Sequence, residues 1–231
     1  MSDAHSPDHP AGLRLTLDDG TPVLLRPVRP DDAGLLEQGL QHLSTESRIT
    51  RFFSPVAHLS EHQLDYLTRV DQQTHVAWGA LAISSERPSG SQDDVVGLGI
   101  GRFARLPEEP SVAEVAVTVI DEAQRHGLGY RLLALLYCLA RRRGIETLRA
   151  IVMTQNQGLA RRLHALGGTV EREHDQVTLD LPVSDPDELP DTPEAKAFRR
   201  VINEIEEALD AAPELATPRT TRSRPPTDDP S

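Results

Sequence analysis

Apolar residues recur along the chain with two different spacings, and the spacing separates predicted strands from predicted helices. Alternating or continuous β-branched apolar runs predict strands, whereas apolar residues three or four positions apart predict helices. Strands are expected over 13–17, 23–28, 75–84, 95–105, 112–120, 148–153, 170–173 and 177–181. Helices are expected over 30–43, 60–69, 128–143, 156–166 and 195–211. Strands and helices in this order predict an α+β domain with a mixed sheet.

The stretch from Ala113 to Gly144 carries the strongest local pattern. A buried strand is followed by a short polar turn, the string QRHGLG at 124–129 and a leucine-rich helix. A helix start offers free backbone N–H groups, and glycine lets an anion approach the backbone closely. The string is neither a dinucleotide-binding fingerprint nor a P-loop. It predicts a pyrophosphate cradle, with a plain strand-to-helix turn as the alternative.

Glu114 interrupts this apolar strand with a carboxylate. Because an unpaired carboxylate buried in a strand would be costly, the side chain is expected to face a cleft or to have a partner. A carboxylate in a cleft can take a proton from an amine, directly or through water. Glu114 is therefore the candidate general base, and a salt-bridged structural glutamate is the alternative.

Several segments together resemble a known family. Q-x-x-G-x-G after a strand that carries a glutamate resembles motif A of the GNAT acetyltransferase superfamily, and LRPVRPDDAGLL at 25–36 resembles the first strand and helix of GNAT domains. LSTESRITRFFSP at 43–55 and AEVAVTV at 113–119 look like segments of Pat-type bacterial protein lysine acetyltransferases. The resemblance covers about residues 22–182. It implies a GNAT-like mixed, mostly antiparallel sheet flanked by helices.

The resemblance also implies a site. It implies an acetyl-CoA-dependent N-acetyltransferase without a metal, in which Glu114 takes the position of the general base. The part of this strand that follows Glu114 would pair with the pantetheine arm as an added strand does, and the loop at 124–129 would bind the pyrophosphate. The implied cofactor-binding residues are Val117, Val119, Gln124, Arg125, His126, Gly127, Leu128, Gly129, Tyr130, Arg131 and Asn156. Asn156 is explained equally well as the N-cap of its helix.

One departure from the family concerns the general acid. Many GNAT enzymes place a tyrosine on the last helix to protonate the thiolate, and here that position falls on Leu163, with His164 beside it. Leu163 cannot donate a proton, and His164 is expected at the surface. Pat-type enzymes often lack that tyrosine too, and a thiolate whose conjugate acid has a pKa of about 8.5 can leave without an assigned acid.

The composition of the chain argues against nucleic-acid and membrane partners. The formal net charge of −12 argues against a nucleic-acid-binding surface. The single Cys138 permits no internal disulfide, which fits a reducing cytoplasm. No apolar run approaches the roughly 20 residues that a membrane span needs, and the polar N-terminus is unlike a signal peptide. We therefore expect a cytoplasmic protein that binds neither nucleic acid nor membrane.

The chain is expected to divide into one domain with extensions. Residues 12–182 would form the GNAT domain, after a disordered leader at 1–11. An acidic linker is expected at 183–192, then a helix at 193–212 that docks on the domain or on a second subunit, and a disordered tail at 213–231. Both a monomer and a homodimer fit this division.

The functional prediction is acetyl transfer from acetyl-CoA to a primary amine, with a protein lysine as one candidate acceptor. Two alternatives stay open. The first is acetylation of a small amine, since fold analogy cannot choose between acceptors. The second is a catalytically silent acyl-CoA-binding module, which the missing tyrosine allows and Glu114 argues against.

Overall fold

The structure is a computed structural model that describes residues 12–52, 56–83, 95–154, 157–174 and 176–216. Its strands are β1 (Leu13–Thr16), β2 (Pro22–Pro27), β3 (His75–Ala82), β4 (Gly97–Arg105), β5 (Val112–Val119), β6 (Thr147–Met153), β7 (Thr169–Glu173) and β8 (Gln176–Pro182). Its helices are α1 (Ala33–Gln41), α2 (Thr45–Phe52), α3 (Glu61–Thr68), α4 (Leu128–Arg141), α5 (Gln157–Ala165), α6 (Pro193–Ala211) and α7 (Pro213–Ala216).

The strands of the described chain form one eight-stranded sheet in the order β1-β2-β3-β4-β5-β6-β8-β7. Every neighbouring pair is antiparallel except β5 and β6, which are parallel. The prediction of a mixed, mostly antiparallel sheet flanked by helices is confirmed. The parallel pair is joined through α4, because parallel neighbours require a crossover connection.

The parallel strands β5 and β6 pair only near their beginnings. The register aligns Val112 with Thr147 and ends where Glu114 meets Arg149. On its other side, β5 pairs with β4 as far as Val119. Beyond Glu114, the edge of β5 that faces β6 therefore carries no strand pairing. Such an edge presents backbone N–H and C=O groups to whatever enters between the strands.

The helix α4 packs on one face of the sheet and forms the centre of the core. Its side chains Leu132 and Leu136 are fully buried. Glycines of β4 let the helix lie close to the sheet, since a β-carbon on Gly101 would lie 3.1 Å from Leu136 Cδ1. This packing fixes the N-terminus of α4 at the end of β5, beside the unpaired edge.

The helices α1 and α3 cover the opposite face of the sheet, where Leu40, Leu43 and Leu59 form a second, smaller cluster. A capping box forms at the start of α3. Ser60 Oγ accepts the Gln63 N–H at 3.2 Å, and Gln63 Oε1 accepts the Ser60 N–H at 2.8 Å. The cap satisfies N–H groups that a helix start would otherwise leave unpaired.

A helix, α2, occupies part of the segment after α1, which the sequence analysis did not assign to a helix. The side chain of Ser47 donates to Asp121 Oδ1 at 2.7 Å, and the N–H of Ser44 donates to Asp121 Oδ2 at 3.1 Å. These bonds tie the beginning of α2 to the turn that follows β5. The side chains of Phe52 and Phe53, in the segment at 43–55 that resembles Pat-type enzymes, lie outside the described part.

The C-terminal helix α6 docks on the domain. Along one side of it Phe198, Ile202, Ile205 and Leu209 are fully buried. Amphipathic spacing predicted this apolar side, and the structure supplies its partner, since α6 packs against α4.

The segments on either side of α6 are more ordered than predicted. The stretch expected to be a linker has Leu189 buried, and Arg199 Nε donates to the Pro186 carbonyl at 2.7 Å. After α6, the short helix α7 ends at Ala216, whose carbonyl accepts from Arg143 Nη2 at 2.9 Å. The expected linker therefore packs on the domain, and order extends past residue 213. None of the helices in the described ranges is long and apolar enough to cross a bilayer.

Candidate active site

The unpaired edge of β5 is the first part of the candidate site. The N–H of Ile120 donates to the Leu98 carbonyl at 3.0 Å, so this residue directs its N–H toward β4. Backbone groups of successive strand residues alternate in direction. The N–H and C=O groups of Val117 and Val119 therefore point to the other edge, toward the opening between β5 and β6. Gln124 Nε2 meets the Val119 carbonyl there at 3.1 Å.

The loop at 124–129 lies at the end of this edge and leads into α4. Gly127 is the N-cap of α4 and has a φ of +81°, and Arg125 also has a positive φ, of +67°. The N–H groups of the first helical turn have no earlier carbonyl to bind within the helix. A β-carbon on Gly129 would touch only Val119 and Val117 side chains, at 3.7 and 4.0 Å. The loop therefore has the backbone geometry that an anion site at a helix start requires.

The turn between β1 and β2 closes on this loop from outside, which the sequence analysis did not foresee. His126 Nδ1 lies 2.9 Å from Asp19 Oδ2, and Arg131 Nη1 lies 3.0 Å from Asp18 Oδ1. A β-carbon on Gly127 would lie 2.6 Å from Asp18 Oδ2. Two of the basic side chains predicted to meet the pyrophosphate are thus paired with carboxylates of this turn.

Two other residues predicted to contact the cofactor direct their side chains elsewhere. Leu128 is 1% exposed and lies in the core. The Tyr130 hydroxyl donates to the Glu194 carbonyl of α6 at 2.7 Å, and its ring lies 5.0 Å from the Phe198 ring. Burial raises the pKa of Tyr130 to about 12. Only the backbone of these residues is available to an anion at the helix start.

Glu114 lies at the point where β5 and β6 separate. Its side chain is 45% exposed, and its Oε1 lies 4.0 Å from Arg102 Nη2. That distance exceeds a hydrogen bond, so the contact with Arg102 is a long ion pair. Arg149, beside Glu114 in the register, is held by Asp180 at 2.8 Å and Glu109 at 2.9 Å. Glu114 thus has an ion-pair partner in Arg102, and its role as general base stays a prediction.

Arg102 connects Glu114 to an aromatic pair. Its Nη1 lies 3.2 Å from His75 Nε2, and its guanidinium lies 4.8 Å from the centre of the Tyr66 ring. The Tyr66 and His75 rings lie 4.8 Å apart. Burial, and next the positive charge of Arg102, lower the pKa of His75 to about 4. The imidazole is therefore neutral at neutral pH, and its Nε2 accepts a hydrogen bond from Arg102 Nη1.

The family model described as Acetyltransferase (GNAT) domain matches residues 23–169. The chain belongs to the GNAT acetyltransferase family. It is 33% identical over 163 residues to Acetyltransferase PA5475 of Pseudomonas aeruginosa, which covers 71% of this chain and 83% of that relative. It is 30% identical over 187 residues to Acetyltransferase Pat of Mycolicibacterium smegmatis, which covers 78% of this chain and 53% of Pat, so the chain spans about half of that relative.

A solved structure agrees with this assignment. The GNAT domain of S. lividans PAT matches with a TM-score of 0.65 and 28% identity, over 75% of this chain and 99% of that domain. The resemblance inferred from the motifs, including the likeness to Pat, is therefore confirmed. The chain is a GNAT-family acetyltransferase.

The helix α5 packs against β7 and β8, and two of its residues were singled out for the site. Asn156, predicted to face the cofactor or cap α5, lies outside the described residues. Leu163 is buried at 4% exposure. His164 lies in the last turn of α5, where its Nδ1 is 3.2 Å from the Gly168 carbonyl. The described part of α5 thus places no proton donor at the position of the family's tyrosine.

Sequence reasoning missed the cluster of Tyr66, His75 and Arg102 around Glu114. The structure pairs His75 with Arg102. Alternation along β3 and β4 could have placed His75 and Arg102 on one face of the sheet, but only the strand register brings them together. In that register His75 is aligned with Ala104, and Ala104 with Glu114.

Proposed function

We propose that this GNAT protein transfers the acetyl group of acetyl-CoA to a primary amine, with Glu114 as general base and a protein lysine as acceptor. The observation that supports the proposal most is the position of Glu114. A partly exposed carboxylate lies where the unpaired edge of β5 begins, and the loop before α4 lies where that edge ends. The base and the phosphate site thus lie at opposite ends of one backbone edge.

The residues present fit acetyl-CoA. The pyrophosphate would bind the N–H groups of the first turn of α4, where Gly129 leaves the backbone accessible. The pantetheine arm would run along β5 and pair with Val117 and Val119, as an added strand does. The Val117 N–H, which points to this edge, would meet the thioester oxygen and stabilise the negative charge that develops on it.

The chemistry requires a neutral amine. A free lysine has a pKa of about 10.4, so at neutral pH it is almost entirely protonated and unreactive. Glu114 takes that proton, directly or through a water molecule. The nitrogen then attacks the thioester carbon, the C–N bond forms, the C–S bond breaks, and the second proton that the nitrogen loses passes to water or to the departing thiolate. The coenzyme leaves as a thiolate, which needs no side-chain acid if its conjugate acid has a pKa of about 8.5.

The choice of a protein lysine rests on similarity and on the surroundings of Glu114. The segment at 43–55 resembles Pat-type enzymes, and the chain is similar to proteins named Pat from two sources. Arg102, the ion-pair partner of Glu114, lies over the ring of Tyr66, a residue that is 48% exposed. An exposed aromatic ring offers a surface on which the aliphatic stem of a lysine side chain can pack.

The test is free-thiol release from acetyl-CoA, measured with protein acceptors and with a panel of small amines. Candidate protein acceptors are folded proteins from a lysate, and mass spectrometry locates the acetylated residue. The proposal expects acetyl-lysine on specific proteins and little turnover of polyamines or free amino acids. Fast turnover of a small amine would assign that class of acceptor instead. Tight acetyl-CoA binding without transfer to either class would identify a silent binding module.

A further inference from the structure

A cavity of about 80 Å³ lies between α1, α3 and the face of the sheet that carries Glu114. Leucine, isoleucine and valine side chains form most of its wall, including Leu36, Leu40 and Ile100. Arg26 and Asp32 also line it, and they neutralise each other through contacts of 2.6 and 2.7 Å. The cavity is therefore predominantly apolar, with no net charge from this pair.

Two glycines keep this cavity open. Gly39 lies inside α1 and Gly79 inside β3, and both line the cavity. A β-carbon on Gly39 would meet nothing within 4 Å, and one on Gly79 would meet only Val28 Cγ2 at 3.9 Å. Neither glycine has a positive φ. Glycine inside a regular element costs roughly 0.5–1 kcal/mol relative to alanine, and here neither backbone conformation nor crowding requires it. What both glycines provide is empty volume.

The cavity borders β5, the strand that carries the proposed reaction site. Thr118 and Ile120 form part of its wall, and they flank Val119 on the strand that carries the unpaired edge. Along β5 these side chains alternate with those of Val117 and Val119, so they lie on the same face as Glu114. An acyl group held at the Val117 backbone would therefore have the cavity beside it.

We propose that the cavity accepts the acyl chain of an acyl-CoA longer than acetyl, with a straight chain of about four or five carbons. This inference rests on the proposed function, because it places the thioester at the unpaired edge of β5. A cavity of 150 Å³ lined by such residues holds a benzene molecule, so 80 Å³ accommodates about three carbon groups beyond the acetyl unit. The transfer step is unchanged: the C–N bond forms, the C–S bond breaks, Glu114 takes the amine proton and the thiolate leaves.

The experiment compares acetyl-, propionyl-, butyryl- and hexanoyl-CoA on the wild type and on Gly79→Val. Burying a methylene is worth about fourfold in affinity, so butyryl-CoA should bind the wild type roughly tenfold more tightly than acetyl-CoA. Gly79→Val places two methyl groups toward the cavity and should remove that difference, while acetyl-CoA affinity changes less than about twofold. Isothermal titration gives the affinities, and thiol release with one acceptor amine gives the kcat/KM ratios.

Two glycine-to-alanine variants of α1, one at the cavity and one outside it, test the inference further. Gly39→Ala, from the other side of the cavity, should shift selectivity toward acetyl in the same direction, and melting should show that it folds. Gly34→Ala lies on the exposed part of α1 outside the cavity and should leave selectivity unaltered. A wild type that prefers acetyl-CoA by tenfold, or cavity variants that lower affinity for all four thioesters equally, would overturn the inference.

The outcomes also separate this inference from the proposed function. If butyryl-CoA binds more tightly and Gly79→Val abolishes the difference, the cavity takes the acyl chain whether or not an amine is acylated. If acetyl transfer proceeds but selectivity is the same in all variants, the proposed function stands and the cavity assignment fails. A change in the KM of the acceptor alone would assign the cavity to the acceptor instead, which also contradicts the inference.

Discussion

The docked helix α6 should contribute a large part of the stability of the domain, and Phe198→Ala tests this. The Phe198 side chain is fully buried, and its ring lies 5.0 Å from that of Tyr130 and 5.6 Å from that of Tyr137. Truncating a buried phenylalanine removes its burial and leaves a cavity, at a cost of about 3–5 kcal/mol. A typical domain has a total stability of about 5–15 kcal/mol, so the loss should be severe.

The assay is thermal unfolding followed by circular dichroism. For a chain of this length, 1 kcal/mol corresponds to about 2–4 °C in Tm, so Phe198→Ala should lower Tm by roughly 6–20 °C. Asn203→Ala, on the exposed side of α6, is the matched control and should shift Tm by less than about 2 °C. If the two variants melted together near the wild-type Tm, α6 would not be docked in solution as described.

Three further predictions concern the loop before α4 and the surroundings of Glu114. Gly127→Glu places a side chain where φ is +81° and where Asp18 lies 2.6 Å from the new β-carbon. Acetyl-CoA at 100 times Kd stabilises a protein that binds it by about 2.7 kcal/mol, and the folded variant should lose this stabilisation. Unchanged stabilisation would show that the loop is not part of the site. Asp18→Asn removes a carboxylate that pairs with Arg131 and that would compete with the phosphates for it. Titration calorimetry should show acetyl-CoA binding roughly two- to fivefold more tightly at low salt, with a smaller gain at high salt. Weaker binding would refute this competition. Burial and Arg102 lower the pKa of His75 to about 4 in the folded state, against about 6.5 in the unfolded state. Between these two values the unfolded state binds more protons, so the free energy of unfolding should be highest above pH 6.5 and fall toward pH 4. Chemical denaturation should show a flatter pH dependence for His75→Phe than for the wild type, and equal slopes would contradict the lowered pKa.

The elements that sequence predicted best are those with a local cause. The start of α3 at Ser60 depends only on residues within one helical turn. The strand, loop and helix from Val112 to Arg141 follow from a run of apolar residues, two glycines and leucines at helical spacing. Because these signals are contained within single elements, periodicity was sufficient to find them, and the motif was sufficient to identify the family.

The features that sequence missed depend on residues distant along the chain. Arg131 pairs with Asp18 across 113 positions, so no local pattern connects the cofactor loop with the β1–β2 turn. The helix α2 has few apolar residues and is joined to the turn after β5 through Asp121, 74 positions from Ser47. The segment at 183–192 was interpreted as a linker from its acidic and proline-rich composition, yet Leu189 is buried and its carbonyl accepts from Arg199 of α6. The composition of a segment does not show whether distant parts of the chain form a surface on which it can pack.

The most direct test of the account is the pH–rate profile of Glu114→Gln against the wild type, with one acceptor amine. Glutamine keeps the shape of the side chain and its place beside Arg102, but it cannot take up a proton at neutral pH. We expect unchanged acetyl-CoA affinity, a loss of turnover of roughly 10²–10⁴-fold at neutral pH, and partial recovery at high pH, where more of the amine arrives neutral. Equal turnover of the two proteins at neutral pH, or a lowered Tm with full activity in the folded fraction, would show that Glu114 is structural and contradict its assignment as the base.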